Sequence, residues 1–481
     1  MAVSRSARAG LHSLGGTGTQ MVIQLVSLTV LARFLEPAEF GVYGMAITFI
    51  GFTTLFRDLG LSSAAIQVKS LPIQLRTNLW WINTGTGAIL ALLTLATAPL
   101  IAAFYREPQV AFVVAFMAPT MLLAGAAVQY RASLARDLRL GAAAAIDVTG
   151  ALLGLIVSVG VALAGGGVWA LVLPQLVSGV VTLAGVIFVS RWLPGLPRRG
   201  HGTRQLVRFG GAMFVSQALT YTHRTYDVLL LGRLHGADWT GQFNRAAQMS
   251  RMPMGMIAAP FSKVALATMA PHQEDVHALG ALARRGQVLL ALPVLLAAGG
   301  LVAAAEPLVS LVLGDGWGQA VPFLQLIAMS EALALMASVG GWLMAARGQG
   351  SKLIRLGVIS TVIKVSTVSL GSLWGPYGIV AGVVVAQVIL WPLSLVLTGR
   401  MSGVSTREAL VDSYVLVGVT ASATAAGWYA GRTHIVPGGP AVDIVAVVVT
   451  MLATLALAAA LVAPFRRDVQ TFLQTVRSGV G

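Results

Sequence analysis

About fourteen apolar stretches, each long enough to cross a lipid bilayer, follow one another along this chain of 481 residues. A bilayer core about 30 Å thick requires roughly 20 consecutive apolar residues in a helix. Hydrophobic residues make up 56% of the chain, charged residues only 10%, and the mean hydropathy is +0.81. The pattern predicts an all-α polytopic membrane protein. The expected spans are about residues 11–35, 39–60, 79–104, 110–130, 143–165, 168–190, 206–232, 240–265, 286–313, 320–346, 353–373, 376–398, 410–430 and 441–463.

The basic residues fall mainly between these spans, on alternating connections. If the N-terminus is cytoplasmic, 24 of the 32 Lys and Arg residues lie on the cytoplasmic face and four lie on the opposite face. Cytoplasmic loops collect Lys and Arg in membrane proteins. The distribution therefore favours an even number of spans, with both termini in the cytoplasm.

Composition also limits the chemistry that the chain can perform. The net charge of +15 is explained by membrane topology, so nucleic acid is not expected as a partner. The chain has no cysteine, its seven histidines are scattered, and no metal site is expected. The connections are too short for a soluble domain of about 50 residues or more, and neither a nucleotide-phosphate loop nor a DxD pair is present. We therefore expect a protein that is not an enzyme.

A faint internal repeat divides the chain. Residues 31–43 resemble residues 231–243 at an offset of 200, and residues 167–170 resemble residues 378–381 at an offset of 211. The repeat predicts two pseudo-symmetric lobes of six helices each, 1–200 and 201–400. Residues 401–481 would add two helices and an amphipathic helix on the cytoplasmic surface.

Polar residues line one face of the seventh span. Gln217, Thr220, Tyr221, Arg224 and Asp227 recur at helical spacing. A charge at the bilayer centre costs at least about 2.5–3.5 kcal/mol, so it should face a cavity or a partner. Arg224 and Asp227 could instead form a structural pair. The equivalent face of the first span is neutral and includes Gln24, and the two faces together indicate an aqueous lumen between the lobes.

The neighbouring span adds further cations. Arg245, Gln248 and Arg251 have no carboxylate within reach along their own helix, and Lys364 lies within the eleventh span. Basic groups in a medium of low dielectric constant favour an anionic ligand. Alternatively, the two arginines lie near the external mouth of their span, and Lys364 extends toward an interface.

Three acidic residues fall within or beside spans: Asp147, Asp227 and Glu331. An intramembrane carboxylate can bind a proton or Na⁺ and so couple transport to an ion gradient. Helix capping or helix packing is the alternative role for Asp147 and Glu331. No other cofactor is expected.

The first connection resembles that of a known family. Residues 31–44, LARFLEPAEFGVYG, are similar to the connection between the first two helices of Wzx-type polysaccharide flippases. Residues 49–61 resemble the second helix of that family, and residues 66–67 the loop after it; residues 167–171, 305–308 and 314–317 also fit. The resemblance implies the polysaccharide transporter family of the multidrug/oligosaccharidyl-lipid/polysaccharide superfamily, with two six-helix lobes in a V. A cationic lumen for a pyrophosphate is typical of such flippases, and Arg224, Arg245, Arg251 and Lys364 suit that role by their chemistry.

The resemblance implies a flippase that moves an undecaprenyl-pyrophosphate-linked oligosaccharide from the cytoplasmic to the outer leaflet of a bacterial inner membrane. The expected partners are this lipid-linked substrate and membrane lipids, with a polysaccharide polymerase and export machinery as further candidates. The main alternative is an ion-coupled small-molecule antiporter of the multidrug type, which an arginine-rich lumen disfavours. A membrane polymerase or ligase would be expected to have a large external loop, and the external loops here are short.

Overall fold

Long apolar helices form nearly all of the described structure. The computed structural model describes residues 2–58, 72–197, 203–433 and 439–478, with side chains for 15–54, 72–197, 217–433 and 439–474. The first half contains α1 (Ala2–Ala32), α2 (Pro37–Asp58), α3 (Ile73–Tyr105), α4 (Pro108–Met117), α5 (Pro119–Arg136), α6 (Leu140–Leu163) and α7 (Trp169–Ser190). The second half contains α8 (Thr203–Met269), α9 (Val276–Ala303), α10 (Ala305–Val312), α11 (Ala320–Ala346), α12 (Gly350–Gly371), α13 (Gly375–Ser402), α14 (Arg407–Arg432), α15 (Pro440–Leu461) and α16 (Ala463–Ser478).

The predicted fold class is confirmed. Within the described parts of the chain, nine segments are long and apolar enough to cross a membrane, and one of them, Gly350–Ser402, contains both α12 and α13. The described helices also match the spans expected from sequence once α4 with α5 is counted as one span and α8 as two. Residues 59–61 and 66–67, which carry part of the family resemblance, lie outside the described residues.

Helix α8 joins two predicted spans without a loop. Its 67 residues are interrupted only at Gly236, whose φ of 85° and ψ of −170° are not helical. A side chain is strongly disfavoured at such a φ, and glycine accepts it without steric cost. The chain therefore has a kink at a single residue where the sequence predicted a connection of several residues.

Helix α9 begins ten residues earlier than the span predicted at 286–313. The carboxylate of Asp275 accepts hydrogen bonds from the backbone amides of His277 and Ala278, at 3.0 and 2.9 Å. This N-cap pairs amides that the first helical turn leaves without partners. The polar segment 276–285 consequently extends the helix beyond its apolar part, and the predicted span ends as the separate helix α10.

The chain divides into two compact units, Met1–Gly241 and Gln242–Gly481. The division into lobes at residues 200 and 400 stays a prediction. Unit 2 has a large buried apolar cluster that includes Leu290, Met336 and Leu416. In both units many large apolar side chains point outward, including Leu100, Phe188 and Leu461. An apolar exterior is what a protein surrounded by lipid requires.

Candidate functional site

Arg251 and Glu331, two of the candidate residues, form an ion pair within unit 2. The Nε of Arg251 donates a hydrogen bond to Oε1 of Glu331 at 2.8 Å. Arg251 lies on α8, and Glu331 lies near the middle of the 27-residue helix α11. The pair thus joins a proposed ligand for an anion to a proposed site of proton or Na⁺ binding.

This ion pair is not sealed inside the protein. The Arg251 side chain is 42% exposed and the Glu331 side chain 26%. Glu331 is the only charged residue between Ala320 and Ala346. Since a charge facing hydrocarbon at mid-helix costs about 2.5–3.5 kcal/mol or more, the exposed part of the pair requires water or a polar ligand beside it.

The other candidates in unit 2 differ in their exposure. Arg245 and Gln248 are half-buried on the same helix as Arg251, whereas Lys364 on α12 is only 3% exposed. A lysine at this depth is costly to bury unless its ammonium group is paired. This burial argues against the alternative that the Lys364 side chain extends toward an interface.

Three exposed candidates of unit 1 lie on α1 and on the first part of α8. Gln24, Gln217 and Arg224 are exposed. No carboxylate among the described side chains lies within ion-pairing distance of the Arg224 guanidinium. An exposed guanidinium within an apolar span needs a polar environment for the reason given for Arg251.

Asp227 has a different environment from Arg224, three residues earlier on the same helix. Its side chain is 1% exposed, and Oδ1 accepts a hydrogen bond from the backbone amide of Val228 at 3.1 Å. Exposure therefore differs along the predicted polar face of the seventh span: Gln217 and Arg224 are exposed, whereas Asp227 is buried.

Asp147 on α6 is paired with Arg131 on α5. Both carboxylate oxygens of Asp147 accept hydrogen bonds from the Arg131 guanidinium, one of them at 3.3 Å. The Asp147 side chain is half-buried. A bidentate pair of this kind fixes the geometry of two neighbouring helices, so the helix-packing role is the better explanation for Asp147.

Tyr221 holds α8 against α2 within unit 1. Its hydroxyl donates a hydrogen bond to the carbonyl oxygen of Thr48 at 2.6 Å, and its ring lies against Phe52. A Cβ added at Gly51 would overlap the Tyr221 hydroxyl. The side chain that sequence placed on a polar face thus serves to position the helix that carries Arg224.

Unit 2 also contains a mostly apolar cavity of 860 Å³. It is bounded by α9, α11, α13 and α14, and its aromatic lining includes Tyr377, Trp391, Tyr414 and Trp428. None of the candidate site residues lines it. The sequence provided no signal for this cavity because its walls come from four different helices.

A polar cluster at one end of unit 2 was also missed from sequence. Arg284 on α9 forms ion pairs with Glu408 and Asp412 on α14. These residues were assigned only to connections or span ends. The i, i+4 spacing of Glu408 and Asp412 at the start of a helix is the one sequence signal for a shared cationic partner.

Comparisons with known proteins agree with this architecture. The family model described as "Polysaccharide biosynthesis protein" matches residues 30–322. The succinoglycan biosynthesis transport protein ExoT of Rhizobium meliloti (strain 1021) is 27% identical over 373 residues, covering 76% of this chain and 74% of that protein. The lipopolysaccharide biosynthesis protein WzxC of Escherichia coli (strain K12) is 24% identical over 407 residues, covering 81% and 80%.

A solved structure shares the fold. The lipid II flippase MurJ in an inward closed conformation superposes with a TM-score of 0.73 at 12% identity. The match covers 95% of this chain and 99% of that one. At this identity the likeness establishes the fold alone.

Proposed function

Because this chain belongs to the polysaccharide biosynthesis protein family of Wzx-type flippases, we propose that it moves an undecaprenyl-pyrophosphate-linked oligosaccharide across a bacterial plasma membrane. The movement would run from the cytoplasmic to the outer leaflet by alternating access, for the synthesis of a cell-surface polysaccharide. Both termini would lie in the cytoplasm. A polysaccharide polymerase and export machinery would act on the product.

The partly exposed ion pair between Arg251 and Glu331 carries this proposal. The Arg251 guanidinium is partly exposed beside Glu331, which lies near the middle of an apolar helix, so water or a polar ligand would be needed there. Guanidinium groups bind phosphate oxygens through two parallel hydrogen bonds, and such bonds are strengthened by charge. A diphosphate is the part of the proposed substrate that needs such partners.

The pyrophosphate would be held by the candidate cations, Arg224, Arg245, Arg251 and Lys364. Gln24, Gln217 and Gln248 would provide neutral hydrogen-bond donors and acceptors for the sugars. The polyprenyl chain would stay in the lipid. Rocking of one lobe against the other would then expose the headgroup on the opposite side.

When no substrate is present, Glu331 would occupy the proposed site by pairing with Arg251. Its carboxylate would compete with the diphosphate for Arg251, since both are anions that accept from the same guanidinium. Protonation of Glu331 would release Arg251 and remove one negative charge from the site. Proton uptake would then accompany substrate binding, and Asp227 is the second candidate for this coupling.

A cell that depends on this protein for its surface glycan provides the test. We expect Arg224→Ala and Arg245→Ala to reduce glycan export strongly at normal expression, while Arg432→Ala, an exposed arginine near the end of α14, serves as the control. Normal export by both variants would contradict the proposed pyrophosphate site. Ion coupling is tested separately, because equal transport with the proton and Na⁺ gradients collapsed would dismiss it.

A further inference from the structure

The last helix, α16, has its apolar side against protein. Phe465 is 2% exposed and belongs to the same buried cluster as Leu416 of α14. Val469 and Phe472, on the same side of α16, pack against that cluster. The sequence predicted an amphipathic helix on the cytoplasmic surface, and the described contacts dock its apolar side on unit 2.

Ion pairs join α9 and α14, two of the helices that α16 contacts. Nε of Arg284 donates to Oδ2 of Asp412 at 2.6 Å, and Nη1 of Arg284 donates to Oε2 of Glu408 at 2.5 Å. One guanidinium of α9 therefore binds two carboxylates of α14. The positive charge of Arg284 is therefore largely balanced by these two carboxylates, without any group from α16.

Asp468 of α16 faces this cluster. It lines a cavity of 590 Å³, which is also lined by three arginines and two further acids, Arg284, Arg285, Arg467, Glu408 and Asp412. Its Oδ2 is buried and has no hydrogen-bond donor among the described residues. A buried carboxylate oxygen without a donor is unfavourable when the group is charged and much less so when it is neutral.

Burial, more than the surrounding charges, favours the neutral form of Asp468. Burial raises the pKa of this carboxyl from 3.8 to about 6, and the negative charge of Asp412 acts in the same direction. Arg284 and Arg467 oppose this shift. Helix α15 carries only Asp443, near its opposite end, and the side chain of Arg477 lies outside those described.

We propose that proton uptake by Asp468 fastens α16 to α9 and α14, so that the helix is a proton-sensitive latch on unit 2. When Asp468 is ionised, its charge opposes that of Asp412 across the docking surface and the latch loosens. The cavity beside Asp468 gives water and protons a route to the carboxyl. In the predicted topology this end of unit 2 faces the cytoplasm.

The direction of the pH dependence follows from the linkage between docking and proton binding. A carboxyl whose pKa is higher in the docked state favours docking at low pH, and that contribution is lost as the pH rises through about 6. With a pKa of 3.8 when undocked and about 6 when docked, the docking constant should be about tenfold greater at pH 5 than at pH 8.

Hydrogen exchange of the purified full-length protein measures this directly. We expect the protection factors of amides in 463–478, each referred to its intrinsic exchange rate at the same pH, to fall about tenfold between pH 5 and pH 8. The isosteric variant Asp468→Asn should remain protected across the whole range. Asp315→Asn, a change at an exposed aspartate between α10 and α11, should behave like the wild type.

A second variant tests the electrostatic cause. Asp412→Asn removes the neighbouring negative charge, so the loss of protection should move to lower pH. Protection that does not change with pH in the wild type, or that changes equally in Asp468→Asn, would overturn the latch. Weaker protection of Asp468→Asn at every pH would also overturn it, because the ionised carboxylate would then be what holds the helix.

Discussion

Gly41 and Gly241 pack reciprocally: Gly41 lies against the backbone of Ala237, four residues before Gly241, and Gly241 lies against the backbone of Pro37, four residues before Gly41. A Cβ at Gly41 would overlap the carbonyl oxygen of Ala237, and a Cβ at Gly241 would overlap that of Pro37. The two contacts are related by the offset of 200 residues that also relates the sequence repeat. The two copies of the repeat therefore touch through equivalent residues within unit 1.

The first prediction concerns this contact. Gly41→Ala or Gly241→Ala should each lower the melting temperature of the purified protein, since overpacking a tight contact costs about 1–3 kcal/mol and here the obstacle is backbone. Gly85→Ala and Gly357→Ala are matched helical controls, because nothing lies within 4 Å of the added methyl group. Equal melting temperatures for Gly41→Ala and the controls would contradict the reciprocal packing.

The second prediction addresses the competition at Arg251. Arg251→Ala should weaken the binding of farnesyl diphosphate, a short analogue of the proposed lipid, about tenfold or more, since a hydrogen bond to a charged group contributes about 1.5–3 kcal/mol. Glu331→Gln should instead tighten binding by removing the competing carboxylate. Calorimetry on the purified protein measures both, with Arg432→Ala as the control. Weaker binding by Glu331→Gln would show that Glu331 supports the site and does not compete for it.

The third prediction separates the acidic candidates by role. Asp147 is held by Arg131 in a bidentate pair, so Asp147→Asn should reduce thermal stability but leave the dependence of transport on the proton gradient unchanged. Glu331→Gln should abolish that dependence. Transport by each variant is measured with and without a proton uncoupler. Loss of gradient dependence in Asp147→Asn would reassign the coupling to this pair.

The fourth prediction uses Tyr221, which joins α8 to α2. Tyr221→Phe removes the 2.6 Å hydrogen bond to Thr48 but retains the ring. A net loss of about 0.5–1.5 kcal/mol is expected for one such bond, seen as a small decrease in melting temperature. Tyr429→Phe, at an exposed tyrosine of α14, is the control. A larger decrease for the control would mean that the Tyr221 bond contributes little.

Span positions were predictable because apolar length alone specifies a membrane helix. The same criterion located α11 at 320–346 to the residue. It could not predict the early start of α9 or the kink at Gly236, since a polar helical extension and a one-residue break in a helix leave the apolar pattern unchanged. Those features depend on the Asp275 cap and on backbone conformation.

The candidate site was predictable as a set of residues but not as pairs. Glu331 is the only charged residue of α11, so a partner for it was expected. Spacing along the chain could not show whether that partner is Arg245, Arg251 or Lys364. The choice depends on how α8 packs beside α11. The Arg284 cluster was missed for the same reason, because its members come from two helices that are distant in sequence.

Flipping by the purified protein in liposomes tests the central claim most directly. An undecaprenyl-diphosphate oligosaccharide is placed in both leaflets, and a membrane-impermeant reagent then oxidises the exposed sugars. We expect wild-type protein to make nearly all of the glycan reactive, and the triple variant Arg224→Ala, Arg245→Ala, Arg251→Ala to leave about half protected, as in protein-free liposomes. Protection of half the glycan with folded wild-type protein, under every ion gradient applied, would contradict the account.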